Sequence, residues 1–258
     1  MLACISDDCR LSAQAPPAAV NTPDDIQELV RQANAHKANG AYAKALVERH
    51  KILAIYERIK TPEDLASASN LNNLAELYQV MGRHKEAEKL YEHSIRIFEK
   101  LLGPDHLYTI TSTNNLGTVY YSLGRYDKAR TAYDRAIASI EKTSSEPNLL
   151  TAIIINNLGG LNVALARLDE AESLYKRTLA IKEKIMGPEH LDTGTSLINL
   201  GKLYIAQGRN GEAEILYNRA IAILTKTLGL DHPDTKSLLN TLRELTKKQS
   251  RQSEVNTP

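Results

Sequence analysis

Along the chain, a leucine, a small residue and a tyrosine recur at i, i+1 and i+4, in Leu74-Ala75-Tyr78, Leu116-Gly117-Tyr120 and Leu200-Gly201-Tyr204. This is the spacing of one face of a helix. A second apolar stripe follows each, through Ala87, Tyr91, Ser94 and Phe98 and again through Ala129, Tyr133, Ala136 and Ile140. Between the stripes stands a turn, and the turn residues Gly40, Gly82, Gly124, Ala166 and Gly208 are spaced 42 residues apart. Two amphipathic helices joined by a tight turn form an αα-hairpin. A period held over most of the chain predicts an array in which each hairpin packs on its neighbours. Small residues such as Gly117 and Ala129 let two backbones approach, and the tyrosines fill the space between hairpins.

The columns divide the sequence into a disordered lead (1–21), five repeats (22–230), a lone C-terminal capping helix (231–248) carrying Leu238, Leu239, Leu242 and Leu245, and a frayed tail (249–258). The first unit opens on Thr22-Pro23-Asp24-Asp25, a capping residue followed by proline and acids at the positive end of a helix. It keeps Gly40, Ala45 and Ile52 in register but places His36 and Arg49 in the tyrosine columns, as befits a terminal repeat. The unit from about Glu146 to Ile185 has Asn162 in place of tyrosine and Ala166 in place of the turn glycine. Packing and turn geometry are expected to adjust there, at a bend or soft spot.

The pattern L-G-x-x-Y before the turn and A-x-x-x-Y-x-x-A after it resembles the tetratricopeptide repeat, whose usual period is about 34 residues. The longer period here, with the links LLGPDHLYT, IMGPEHLDT and TLGLDHPDT, resembles the kinesin-light-chain type. The resemblance spans residues 23–248 and implies an all-α, right-handed superhelical solenoid that binds a peptide or protein segment in its concave groove without catalysis. Two other readings stay open: a sensor or regulatory fragment of a larger enzyme, and a self-associating scaffold. The chain lacks the heptads by which a kinesin light chain joins its motor.

Composition narrows the partner. Apolar residues make up 42% and charged residues 24% of the 258, with a net charge of +1 and interspersed signs. No overall field draws the chain to nucleic acid or an anionic membrane. No run approaches 18 apolar residues. The two cysteines, Cys4 and Cys9, precede the first repeat, so the array has neither a disulfide framework nor thiol ligands. Leu2-Ala3-Cys4 and Ala13-Gln14-Ala15 have the form of export cleavage sites but lack a charged region and an apolar core before them. The expectation is cytoplasmic, with export as the alternative if the natural start lies upstream.

The seven histidines include no i, i+4 pair of the kind that holds a metal on a helix. His106, His190 and His232 share one column in the links, where a role in capping the next helix outweighs ligation. Nucleophile-elbow, phosphate-loop, dinucleotide and zinc-protease motifs are missing, so no cofactor, metal or catalytic residue is assigned. Arg83, Arg125, Arg167 and Arg209 form a column just after the turns, read as cations complementing a helix C-terminus, or alternatively as a ridge for acidic partners.

With Leu116, Gly117 and Tyr120 facing the core, a rotation of about 100° per residue turns Thr111, Asn115, Thr118 and Ser122 to the opposite face. That face lines the groove. It is small and polar and carries the inner column Asn73, Asn115, Asn157 and Asn199, with Glu76, Tyr121, Ile153 and Lys202 as variable neighbours. The resemblance implies that the inner asparagines hold the main chain of an extended guest. An amide can equally satisfy a neighbouring backbone, so a structural role for this column stays open. The adjacent Asn72, Asn114, Asn156 and Asn240 are expected to bond between hairpins. No lysine and arginine cluster is present to clamp a C-terminal carboxylate.

Overall fold

The computed structural model describes residues 23–58, 63–144 and 146–255, with side chains as far as Lys247. The lead, Thr22 of the first cap, and both cysteines lie outside the described residues. Among those described, eleven α-helices and no strand are found. The described backbone falls into two compact units, one within residues 1–62 and one within residues 63–258.

The first unit is the hairpin α1 (Pro23–Ala38) and α2 (Tyr42–Arg58). Ala33, Ala45, Ile52 and Ile55 close its interior. Arg49, in a tyrosine column, is buried, and its guanidinium donates to Asn34 Oδ1 at 2.6 Å. A hydrogen-bonded cation thus occupies the place of an aromatic ring.

The second unit is a superhelical stack of hairpins. It runs α3 (Leu65–Val80) and α4 (His84–Leu102), α5 (Leu107–Ser122) and α6 (Tyr126–Thr143), α7 (Leu149–Ala164) and α8 (Leu168–Met186), α9 (Leu191–Ala206) and α10 (Asn210–Leu228), then α11 (Pro233–Val255). The first helix of each hairpin starts at one register position, filled in turn by Asp64, His106, Asn148 and His190. Asp64 and Asn148 make reciprocal capping boxes with Ser67 and Thr151. The histidines cap differently: Nδ1 of His106 accepts from the Tyr108 amide at 3.2 Å and Nδ1 of His190 from the Asp192 amide at 3.1 Å. His232 repeats this toward Asp234 at 3.3 Å. The link histidines are therefore helix caps.

Each hairpin turn closes by the two bonds of a Schellman motif. Between α3 and α4, the Gly82 amide donates to the Gln79 carbonyl at 3.0 Å and the Arg83 amide to the Tyr78 carbonyl at 2.8 Å. The turn at Ala166 was expected to adjust its geometry. It does not: Ala166 and Arg167 make the same two bonds, and Ala166 takes the left-handed conformation at φ +57°. The cost of that conformation falls on the alanine. Close by, Asn162 is buried, and its Oδ1 has no hydrogen-bond partner among the described residues.

In three hairpins a glycine of the first helix stands directly against a tyrosine of the second. A β-carbon at Gly117, Gly159 or Gly201 would lie 2.7, 2.7 or 2.5 Å from Cε1 of Tyr133, Tyr175 or Tyr217. The core ends on α11, whose Leu238 and Leu245 join Tyr217, Ala220 and Leu224. The segment expected to fray after Lys248 instead stays helical to Val255. Residues 249–255 contain neither glycine nor proline, the two residues that disfavour helix most.

Candidate functional site

The first helices α3, α5, α7 and α9 bury one face and present the other to solvent. On that second face Ile153 and Lys202 are exposed, as is Tyr121, whose ring stacks at a tilt against Tyr126 with centroids 5.7 Å apart. Asn73, Asn115, Asn157, Asn199, Glu76, Thr111 and Thr118 are half-buried. All ten predicted groove residues thus keep solvent access on one side of the first helices.

Tyrosine hydroxyls from the second helices reach this face from below. Tyr91 Oη donates to Gln79 Oε1 at 3.0 Å and Tyr133 Oη to Thr118 Oγ1 at 3.3 Å. Burial, and after it the charge of Glu76, pushes the Tyr91 phenol up. Burial pushes the Tyr133 phenol up to about 12. Both remain neutral donors across the ordinary pH range.

The asparagines form a ladder between hairpins. Asn157 Nδ2 donates to Asn114 Oδ1 at 3.0 Å, and Asn199 Nδ2 donates to Asn156 Oδ1 at 3.0 Å. Asn115 Oδ1 accepts from Asn114 Nδ2 at 3.2 Å. Ser112, one hairpin further along, bonds to Asn72 at 2.8 Å. Asn72, Asn114 and Asn156 of the outer column join hairpins, whereas Asn240 accepts from Arg243 within α11, and the inner column supplies two of the donors. Asn73 makes no such bond among the described residues and is half-buried.

Two cavities open on the same face. One, of ≈ 500 Å³, holds Asn73 and Thr111 beside Leu107, Tyr108, Phe98 and Leu150. The other, ≈ 360 Å³, holds Asn199 and Lys202 with Ile198, Leu228 and Leu238. Asn115, Asn157, Thr118, Glu76, Tyr121 and Ile153 line neither. Sequence reasoning missed Leu107 and Tyr108, which are 58% and 50% exposed. The available signal was a leucine at the first helical position of each of the last four repeats, Leu65, Leu107, Leu149 and Leu191.

The arginine column does not serve as a free ridge. Arg125 Nη1 lies 2.5 Å from Glu88, and Arg209 Nη1 lies 2.6 Å from Glu172, each carboxylate on the preceding hairpin. Arg209 also lies over the Tyr204 ring, and Arg83 over that of Tyr78. Where the series would need an acid for Arg167, the sequence has Arg130, which turns instead toward Asp134 and Glu170 at 3.6 and 3.8 Å.

Among the described residues no group of three or more histidines, cysteines and acids is placed to hold a metal ion, and no helix is long and apolar enough to cross a membrane. The family model described as "Tetratricopeptide repeat" matches residues 28–100, 64–142 and 150–226. The chain belongs to the tetratricopeptide repeat family. Repeats of this family generally mediate protein–protein interaction and are generally non-catalytic.

Solved structures agree. BtubC (BKLC) from P. vanneervenii is 26% identical with a TM-score of 0.67, over 82% of this chain and 85% of that one. A Podosopora anserina protein of kinesin-light-chain type with nearly identical TPR-like repeats is 25% identical with a TM-score of 0.65, over 80% and 98%. The apo form of RapI shares the fold at 14% identity, with a TM-score of 0.69 over 90% and 86%. No curated protein matches the sequence significantly.

Proposed function

We propose that this tetratricopeptide chain is a non-catalytic adaptor that holds an extended peptide segment of a protein partner along the solvent-facing side of its first helices. The observation that carries this reading is the pair of cavities on that face, each beside an inner asparagine, Asn73 in one and Asn199 in the other. An asparagine amide offers donors and an acceptor to a peptide unit, while the leucines and tyrosine around it take an apolar side chain. Asn73 is the principal main-chain anchor. Asn115, Asn157 and Asn199 divide their bonding capacity between guest and neighbouring hairpin.

A net contribution of roughly 0.5 to 1.5 kcal/mol per hydrogen bond, set against about 2 to 5 kcal/mol for ordering a flexible guest, leaves a modest surplus, so the apolar cavities must add to the affinity. Glu76, Tyr121, Ile153 and Lys202 would then select among sequences.

The test is selection of displayed random 12-residue peptides on the immobilised chain, followed by titration of the selected peptides. The expected result is a fall of at least tenfold in affinity for Asn73→Ala combined with Tyr108→Ala, at an unchanged melting temperature. Selected peptides that bind the double variant as tightly as the parent would overturn the reading.

A further inference from the structure

On the side away from the asparagine ladder, α4, α5 and α6 enclose a cleft of ≈ 900 Å³. That volume lies in the range of small-molecule pockets, about 300 to 1,000 Å³. Its floor is apolar, from Ile95, Leu116 and Ala132 with the ring of Tyr120.

Comparison of columns shows why the cleft is here. Ala132 stands where the neighbouring hairpins have Leu90, Leu174 and Leu216. Thr113, also in the wall, stands where the others have Leu71, Ile155, Leu197 and Leu239. A third departure lies at the rim: Arg96 occupies a column otherwise filled by Ala54, Ala138, Ala180 and Ala222. Two truncations make room, and one arginine adds a charge at the same seam. None of the three is required by the repeat, since its siblings fold without them.

Lys89, Arg96, Lys128 and Arg135 line the cleft together with Glu92, Glu99 and Asp127, and each carboxylate already has a counterpart. Glu99 is already paired with Arg135, and Glu92 accepts a hydrogen bond from Tyr120 Oη at 2.9 Å. Asp127 sits in the first turn of α6, where the positive helix end offsets its charge. Arg96, Lys89 and Lys128 make no ion pair among the described residues, although Lys128 Nζ lies 5.2 Å from the centre of the Tyr120 ring. A guanidinium binds a carboxylate through two parallel bonds, and the floor beside it accepts hydrocarbon.

We propose that the α4–α5–α6 cleft is a binding site for a small aliphatic monocarboxylate, with the carboxylate at Arg96 and the chain over Ile95, Leu116 and Ala132. This site is separate from the asparagine face, and it stands or falls independently of peptide binding there.

The probe is decanoate, kept below its micellar concentration and titrated into the full chain by calorimetry, with decanol as the uncharged control. Expected are a single site for decanoate and at least fivefold weaker binding of decanol. Arg96→Ala, which restores the alanine of the other repeats, should bring the two ligands to equal affinity. Ala132→Leu, which restores the leucine of the neighbouring hairpins, should weaken both at least tenfold without loss of helicity. The proposal is overturned if decanoate does not bind at millimolar concentration, or if it binds Ala132→Leu as it binds the parent. It is equally overturned if decanol matches decanoate on the parent chain.

Discussion

The side-chain amide of Asn157 donates to Asn114 Oδ1 across 3.0 Å, tying a residue of the open face of α7 to the buried edge of α5. Asn114 is only 4% exposed. Removing the donor leaves a buried acceptor short of a partner, which costs about 1 to 3 kcal/mol. Asn157→Ala should therefore lower the urea midpoint measurably, whereas Asn73→Ala, with no hairpin bond to lose, should not. Equal midpoints for the two variants would show that the ladder contributes nothing to the stack.

Ala166 carries the left-handed conformation that glycine has at the other turns. An L-residue there costs roughly 1 to 2 kcal/mol, of which glycine's greater freedom in the unfolded chain returns about 0.4 to 1 kcal/mol. Ala166→Gly should raise stability by about 0.5 to 1 kcal/mol, measured by denaturant unfolding. A loss of stability would mean that the turn is not strained.

Glu172 accepts bonds from Lys176, Arg209, Gln207 and Tyr204, and these, Lys176 first, outweigh its burial and hold the carboxyl at about 2 against an ordinary 4.5. A depressed carboxyl stabilises the folded state above its unfolded pKa, and that stabilisation is lost as pH falls toward the folded value. The parent should lose stability between pH 4.5 and about 2. Glu172→Gln should be less stable than the parent at pH 7, and the gap should close at pH 2. A gap of constant size across this range would remove Glu172 from the acid response.

Deleting residues 231–258 removes α11 and uncovers Tyr217, Ala220 and Leu224, which pack with Leu238 and Leu245. An uncovered apolar stripe at the end of an array promotes association. The truncated chain should aggregate at concentrations where the full chain sediments as one species. A truncated chain that remains monomeric with the same melting profile would show that α11 is not a cap.

Much of this architecture could be read locally. Helical spacing placed the paired stripes, and the recurrence of Gly82, Gly124 and Gly208 located turns that all take positive φ. The capping column was legible for the same reason, since a cap bonds within a few residues of itself. The solvent-facing side of the first helices followed from rotation about single helices, without knowledge of neighbours.

What the sequence left open lies between hairpins. Arg125 pairs with Glu88 and Arg209 with Glu172 across 37 residues, and the inner asparagines bond to the outer ones across 43. An amide or guanidinium can serve a guest, a helix end or a neighbour with the same chemistry. Only the docking distance between hairpins selects one. The α4–α5–α6 cleft depends on docking as well: Thr113 and Ala132 are unremarkable in their own helices and leave a void only where three helices meet. The sequence by itself determined the helices, their turns and their buried faces, because those follow from bonds and spacings within one segment. The tertiary structure decided which polar groups are already satisfied and where the packed surface stays open.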